Sequence, residues 1–280
     1  MPNAFARLMG SEPVVALVKA GATLLLALTF AAAGLGACLI PAVTTALARQ
    51  NAATELSAFS AQQLVEGAQA VRDYSFGPHD RHALLAAVYR MNQELEAQSG
   101  AVAPASLQAR PTVDPKADPA ALSTEELEQA FQGADQRYCL DEAAISHLDD
   151  VNAVASTALP PLALAALLAV AGAAHVAFYR GWRALGPILA GAGALALGFF
   201  ALVGAGAALN FQGFFSLFHS LFFQGQSWVF PYDSLLICML PEGFWIGMGA
   251  LWLVVSATLS ILSLILGIIL IKKSKTSDQK

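Results

Sequence analysis

The sequence predicts an all-α integral membrane protein: four transmembrane helices, a helical extracytoplasmic loop and an aromatic helix lying in the membrane interface. Three observations predict it. The chain is 56% hydrophobic and only 12% charged, with a mean hydropathy of +0.58, whereas a water-soluble domain is about 45–50% apolar and about 25% charged. Four apolar stretches reach the roughly 20 residues needed to cross the hydrocarbon core. Lys and Arg gather in short flanks that fall on one side of those stretches.

The first span runs from Pro13 to Ala46, with Lys19 near its start. Within it, Leu35-Gly36-Ala37-Cys38 has the form of a lipobox, which would make residues 1–37 a cleaved signal peptide. Apolar sequence continues past Cys38 through Leu39-Ile40-Pro41-Ala42-Val43, so an uncleaved helix is expected. The second span covers Thr157–Tyr179 and opens on Pro160-Pro161; the third covers Gly186–Leu209 and the fourth Phe244–Ile271. The expected domains are an N-terminal transmembrane helix 1–46, an extracytoplasmic helical region 47–156, a three-helix transmembrane core 157–271 that includes an interfacial loop 210–243, and a basic tail 272–280.

Arg7 and Lys19 accompany the first span, Arg180 and Arg183 join the second to the third, and Lys272, Lys273, Lys275 and Lys280 follow the fourth. With four spans all these flanks share one side, which is the cytoplasm, so both termini lie there. The loop of about 47–155 then faces outward. It holds 16 Asp or Glu against 7 Lys or Arg, a net charge of −9, which argues against nucleic acid as a partner. Three cysteines, none in a CxxC pair, offer neither a disulfide framework nor a zinc signature. Cys139 and Cys238 both fall outside, where the topology would let them pair.

Inside the large loop, residues 51–72 suit a helix with Leu56, Phe59, Leu64, Ala68 and Val71 on one face. Asp80 caps a second helix carrying Leu84, Leu85, Val88, Tyr89 and Leu95. Pro104, Pro111, Pro115 and Pro119 punctuate a polar stretch of about 99–121 that reads as a disordered insertion. Ser123 with Glu126 forms a capping box for a short helix ending near Gly133. Asp141 caps a helix from Glu142 to Ser156 that runs into the second span. The shorter loop is dense in rings: Phe211 to Trp245 contains 11 of the chain's 25 aromatics. Phe211, Phe214, Phe215, Phe218 and Phe222 crowd one side of a helix, with His219 at the boundary beside Phe215 and Phe223. Such a helix lies in the membrane interface.

The spans are nearly free of charge. Between 157 and 179 only His175 and Tyr179 titrate, and the third and fourth spans hold no titratable group at all, which weighs against transport. Ala190, Ala194 and Gly198 are spaced for close helix packing. Outside lie His79, His82, His147 and His219. The first two sit in a polar turn and read as solvated. His147 lies a turn or two before the second span, with Asp150 three residues on, placed to orient its ring.

Phe218-His219-Ser220-Leu221-Phe222-Phe223, Trp228-Val229-Phe230-Pro231, Leu240-Pro241-Glu242-Gly243-Phe244-Trp245 and the upstream His147-Leu148-Asp149-Asp150-Val151 resemble the motifs of a bacterial four-helix membrane family, that of the lipoprotein intramolecular transacylase Lit. The resemblance covers about 138–271 well and the first span weakly, and the long loop with its Pro-rich insertion departs from the family's compact pattern. It implies an acyltransferase of the cytoplasmic membrane with its site facing outward. The substrate would be a diacylglyceryl-modified lipoprotein, whose sn-2 acyl chain moves to its own N-terminal amine to give a lyso-form lipoprotein. His147 and His219 match the family's essential histidines. Asp150, Phe222, Trp228 and Asp233 are the expected substrate-binding residues. No cofactor or metal is required, because the nucleophile belongs to the substrate and ester to amide is downhill. Two other readings compete: a metal-dependent lipid hydrolase built on His147, His219 and a carboxylate such as Asp150, and a non-enzymatic scaffold whose acidic loop binds another envelope protein. The shared-site reading further expects the two imidazoles on the order of 4–8 Å apart, since an acid and a base must reach one reacting centre.

Overall fold

The structure is a computed structural model that describes residues 4–99, 110–223, 225 and 227–277. Every regular element among them is helical: α1 (Ala4–Met9), α2 (Glu12–Cys38), α3 (Pro41–Asn51), α4 (Ala61–Phe76), α5 (Arg81–Ser99), α6 (Thr124–Phe131), α7 (Glu142–Arg180), α8 (Leu185–Leu209), α9 (Phe211–Phe222), α10 (Leu235–Met239) and α11 (Glu242–Ser277), with one 3₁₀ turn at Trp182–Ala184. Four are long and apolar enough to cross a membrane: α2, α7, the turn with α8, and α11. The chain is an all-α membrane protein.

The expected first helix, Pro13 to Ala46, breaks early. It ends at Cys38, Ile40 is extended (φ −67°, ψ 125°), and α3 begins at Pro41. Proline disfavours the helical region for the residue before it and has no N–H to continue the ladder. At Pro160-Pro161 the outcome is the opposite, since α7 runs through both from Glu142 to Arg180.

The chain divides into two compact units. The first comprises 1–38, 157–214 and 250–280. Lipid is as apolar as leucine, so helices there associate through close contact of small residues and hydrogen bonds rather than hydrophobic burial. A Cβ at Gly267 of α11 would collide with the Ala190 backbone nitrogen and lie 2.7 Å from the Gly186 carbonyl oxygen on α8. One at Gly193 would collide with the Ser260 carbonyl. Ser263 Oγ donates to the Leu189 carbonyl at 2.9 Å, and Trp252 Nε1 donates to that of Ala31 at 2.8 Å. The close register on α8 is therefore Gly186, Ala190 and Gly193. Of the three small residues expected to pack, Ala194 and Gly198 are exposed, and a Cβ at Gly198 meets nothing within 4 Å.

The second unit comprises 39–156 and 215–249. Its core joins Leu64, Ala68 and Val71 of α4, Leu84, Val88 and Met91 of α5, Ile145 and Leu148 of α7, and Leu235 and Met239 of α10. Capping fixes where its helices start. Asp80 accepts from Ala83 N at 3.0 Å and Asp141 from Ala144 N at 2.8 Å. Ser123 and Glu126 form the expected box. The helix expected over 51–72 starts only at Ala61, because Ser60 and Gln63 form a capping box of their own.

The stretch read as a disordered insertion divides in two. Residues 100–109 lie outside the described residues, whereas 110–121 pack. The Tyr89 hydroxyl accepts from Asp114 N at 2.7 Å, and Gln93 Nε2 donates to the Asp114 and Ala117 carbonyls at 2.5 and 3.0 Å. Pro119 is buried, and Val113 packs on the core. Side chains of α5 thus satisfy a backbone that makes almost no ladder of its own.

Two variants test the α8–α11 register. Gly267→Val should force those helices apart and lower the melting temperature of the detergent-purified protein, by the overpacking cost of about 1–3 kcal/mol. Gly198→Ala should leave it unchanged. Equal tolerance of both would contradict the register.

Candidate active site

The site lies within the second unit. His147 sits in the second turn of α7, whose start is set by the Asp141 cap. The face of Ala144, Ile145 and Leu148 faces the core and carries His147 inward with it, at 8% exposure. Along α9 and the residue that follows it, Phe215, His219 and Phe223 recur at four-residue spacing, and His219 and Phe223 are buried while Leu217, Phe218, Leu221 and Phe222 are exposed. The amphipathic pattern expected for this helix therefore turns His219 inward (9% exposed) instead of leaving its tip in water.

The two imidazole centroids are 6.2 Å apart with planes 29° from parallel, inside the range expected from a shared reacting centre. Rings enclose them. Phe223 stands edge-on to His147 at 4.9 Å, and Phe230 lies 5.7 Å from it. Phe215 lies 4.0 Å from His219 and Trp228 4.9 Å from it. Trp245 backs Phe215 at 6.1 Å.

Hydrogen bonding sets one tautomer. His219 Nδ1 lies 2.9 Å from the Phe215 carbonyl oxygen. A carbonyl only accepts, so Nδ1 carries the hydrogen and the lone pair of the neutral ring is on Nε2. That is the arrangement of a general base. His147 Nδ1 is buried without a hydrogen-bond partner.

His147 precedes the apolar stretch of α7 that begins at Thr157, His219 lies on α9, and both rings are held neutral. Burial pushes the His147 pKa down to about 4; the neighbouring His219 pushes the same way, and Asp150 acts weakly against. Burial lowers His219 too, opposed by its bond to Phe215. Two imidazoles this close in an apolar box accept one proton between them far more readily than two.

The remaining expected residues divide. Trp228 belongs to the box. Phe222 is 48% exposed and packs on Phe218 and Phe223, not on either imidazole. Asp150 is exposed and acts on His147 through charge alone; with Nδ1 unpartnered it does not orient the ring. Asp233 is half-buried, and its charge bears on Arg137 and Cys238. Among the described residues no group of three His, Cys, Asp or Glu is placed to hold a metal ion. Cys139 and Cys238 are buried free thiols.

The histidines read as solvated have partners. His82 Nε2 donates to the Leu122 carbonyl at 2.8 Å. His79, in the left-handed region at φ 58°, stacks on Tyr74 at 4.2 Å and reaches Asp149 at 3.4 Å. Tyr74 in turn donates to Asp149 at 2.5 Å, and burial with this carboxylate raises its pKa to about 12. Asn152 donates to the Ser75 carbonyl at 3.1 Å. These bonds tie α7 to the end of α4. No sequence motif announced them. Phe215 and Phe223 were visible as neighbours of His219 on one helix face.

Residues 122–245 match the family described as lipoprotein intramolecular transacylase Lit, an interval that contains both imidazoles and every ring around them. Over that interval the chain is similar to the Lit family. Solved structures share its fold. The membrane integral lipoprotein intramolecular transacylase Lit from Bacillus cereus superposes with a TM-score of 0.66 at 17% identity, covering 95% of this chain and 100% of that one. Histidine-to-arginine and histidine-to-alanine variants of the same Lit protein each superpose at 0.60 and 17% identity, covering 98% and 94% of this chain and 100% and 96% of theirs. No curated protein sequence matches the chain.

The depressed pKa values carry a stability consequence. A ring that stays neutral in the fold takes up its proton more readily when unfolded, so its contribution is intact above pH 6.5 and is lost as pH falls toward about 4. His147→Phe keeps an aromatic ring and removes the titration. Thermal unfolding at pH 7 and pH 5 should show a larger acid loss in the wild type than in this variant.

Proposed function

We infer that this chain is a lipoprotein intramolecular transacylase of the bacterial cytoplasmic membrane. It moves the sn-2 acyl chain of a diacylglyceryl-cysteine lipoprotein onto that lipoprotein's own N-terminal amine. The observation that supports it best is the pair of neutral, buried imidazoles in one aromatic box, within the interval that matches the family.

The chemistry requires a base for the amine, an acid for the glycerol oxygen and a place free of bulk water. An α-amine has a pKa of about 8 and attacks only as the free base. Its nitrogen forms a bond to the ester carbonyl carbon while His219 Nε2 takes its proton. When the carbon–oxygen bond to glycerol breaks, the proton returns to the glycerol oxygen, from His219 directly or through His147. The amine hydrogen ends on the alcohol, so the enzyme is unchanged and no cofactor is consumed. Because the pair holds one proton at a time, each transfer leaves it ready for the next. Burial also keeps hydroxide away from the ester, which favours transfer over hydrolysis.

The basic flanks at Arg7, Lys19, Arg180, Arg183 and Lys272 support an orientation with both termini in the cytoplasm and residues 39–156 and 215–249 outside. The exposed apolar side of α9 (Leu217, Phe218, Leu221, Phe222) suits contact with lipid at the outer surface. Cysteine labelling in intact cells should reach the exposed positions 78, 115 and 225 and leave 181 protected; labelling at 181 but not 225 would reverse the orientation.

The function is tested with purified protein and a diacylglyceryl lipopeptide bearing a free amine. Intramolecular transfer leaves the mass unchanged, and tandem mass spectrometry should find one acyl chain on nitrogen. Loss of an acyl mass with a free N-terminus would instead mean hydrolysis. His147→Gln and His219→Gln should each lower transfer by at least about 10²-fold, the scale of general acid–base catalysis. Glutamine suits this test better than alanine, because both rings are buried and truncation would leave cavities.

A further inference from the structure

Besides His147 Nδ1, a second polar atom of the aromatic box is buried without a hydrogen-bond partner: Nε1 of Trp228. The two differ in what they can do. An imidazole nitrogen donates or accepts according to tautomer, whereas an indole Nε1 carries its hydrogen throughout and can only donate. A buried donor with no acceptor is costly to maintain, and its packing supplies no acceptor. Trp228 packs on His219 at 4.9 Å and on Phe215 at 6.3 Å, and its N–H is bonded to neither.

We propose that the Trp228 Nε1–H is the oxyanion donor of the acyl transfer, a role that rests on the reading of this chain as a transacylase. When the amine nitrogen bonds to the ester carbon, the carbonyl π pair moves onto oxygen and charge develops there. That oxygen is attached to the carbon under attack, so its donor must stand beside the base that deprotonates the attacking nitrogen. Among the described residues five rings touch His219: Phe215, Phe218, Phe223, His147 and Trp228. The three phenylalanines have no donor. His147 is suited to the glycerol oxygen, to which it can deliver a proton. Trp228 offers a hydrogen bond and no transferable proton, which suits an oxygen that must reform a carbonyl when the carbon–oxygen bond to glycerol breaks. The substrate oxygen completes the missing bond, most strongly when it is charged, and the surrounding rings keep water from taking its place.

Trp228→Phe removes the N–H and keeps an aromatic ring. In the full-length protein with the diacylglyceryl lipopeptide, kcat should fall about 10²-fold, the effect of deleting one oxyanion donor. KM should change little and thermal stability should not fall, since the deleted donor had no partner. A merely structural Trp228 would show the reverse pattern, with lower stability and a raised KM. A second readout uses the wild-type chain. Its four tryptophans give four indole N–H resonances, and that of Trp228 is assigned by its loss in the variant. Binding of a phosphonate analogue of the tetrahedral intermediate should move this resonance downfield more than the other three. A variant that keeps over half of kcat, or an unmoved Trp228 resonance with analogue bound, overturns the oxyanion role while leaving the transacylase reading in place. A wild-type chain that transfers no acyl group overturns that reading and this role with it.

Discussion

Two imidazoles held 6.2 Å apart among phenylalanines and a tryptophan cannot both carry charge, and the second unit is arranged around that limit. The chain leaves this unit after Ser156 and returns at Phe215, so His147 and His219 arrive on separate segments and meet only because both helix faces turn inward. Desolvation keeps the rings neutral. The Phe215 carbonyl then selects which nitrogen of His219 bears the lone pair. A base is useful only if it is unprotonated at working pH, and here an apolar setting ensures that without a charged partner. Among the described residues the usual device, a carboxylate behind the histidine, is missing: Asp150 is exposed, and Asp149 is engaged by Tyr74 and His79. Exchanging such a carboxylate for burial lowers basicity but admits an apolar substrate.

Much of the fold could be read from the residues because its signals are local. Four apolar stretches, three correct caps at Asp80, Ser123 and Asp141, and the aromatic run of 211–245 each depend on neighbours in sequence. What could not be read depends on distant partners. The packing of 110–121 hangs on Tyr89 and Gln93, so a proline-rich, polar composition was a misleading guide there. The register of α8 on α11 was mistaken because many small residues recur along α8, and only the facing Gly267 selects Gly186, Ala190 and Gly193. For the site, resemblance supplied the two histidines, while helical periodicity alone left His219 at a boundary. Its burial, the unpartnered Trp228 nitrogen and the exposure of Asp150 and Phe222 are tertiary facts.

The two units solve different problems. In the membrane-spanning unit, glycine contacts and the bonds of Trp252 and Ser263 hold helices where lipid offers no hydrophobic drive. In the other, an ordinary apolar core of Leu64, Leu84, Met91 and Met239 supports a helix that carries one catalytic candidate.

The central claim is that His147 and His219 act as one catalytic unit, and a double-mutant cycle tests it most directly. Single-turnover transfer is measured for His147→Gln, His219→Gln and the double variant. Groups that share a proton at one reacting centre lose their value together, so the double variant should be no slower than the slower single one. If the two losses instead multiply, the histidines act at separate steps or separate sites, and the shared-site account is wrong.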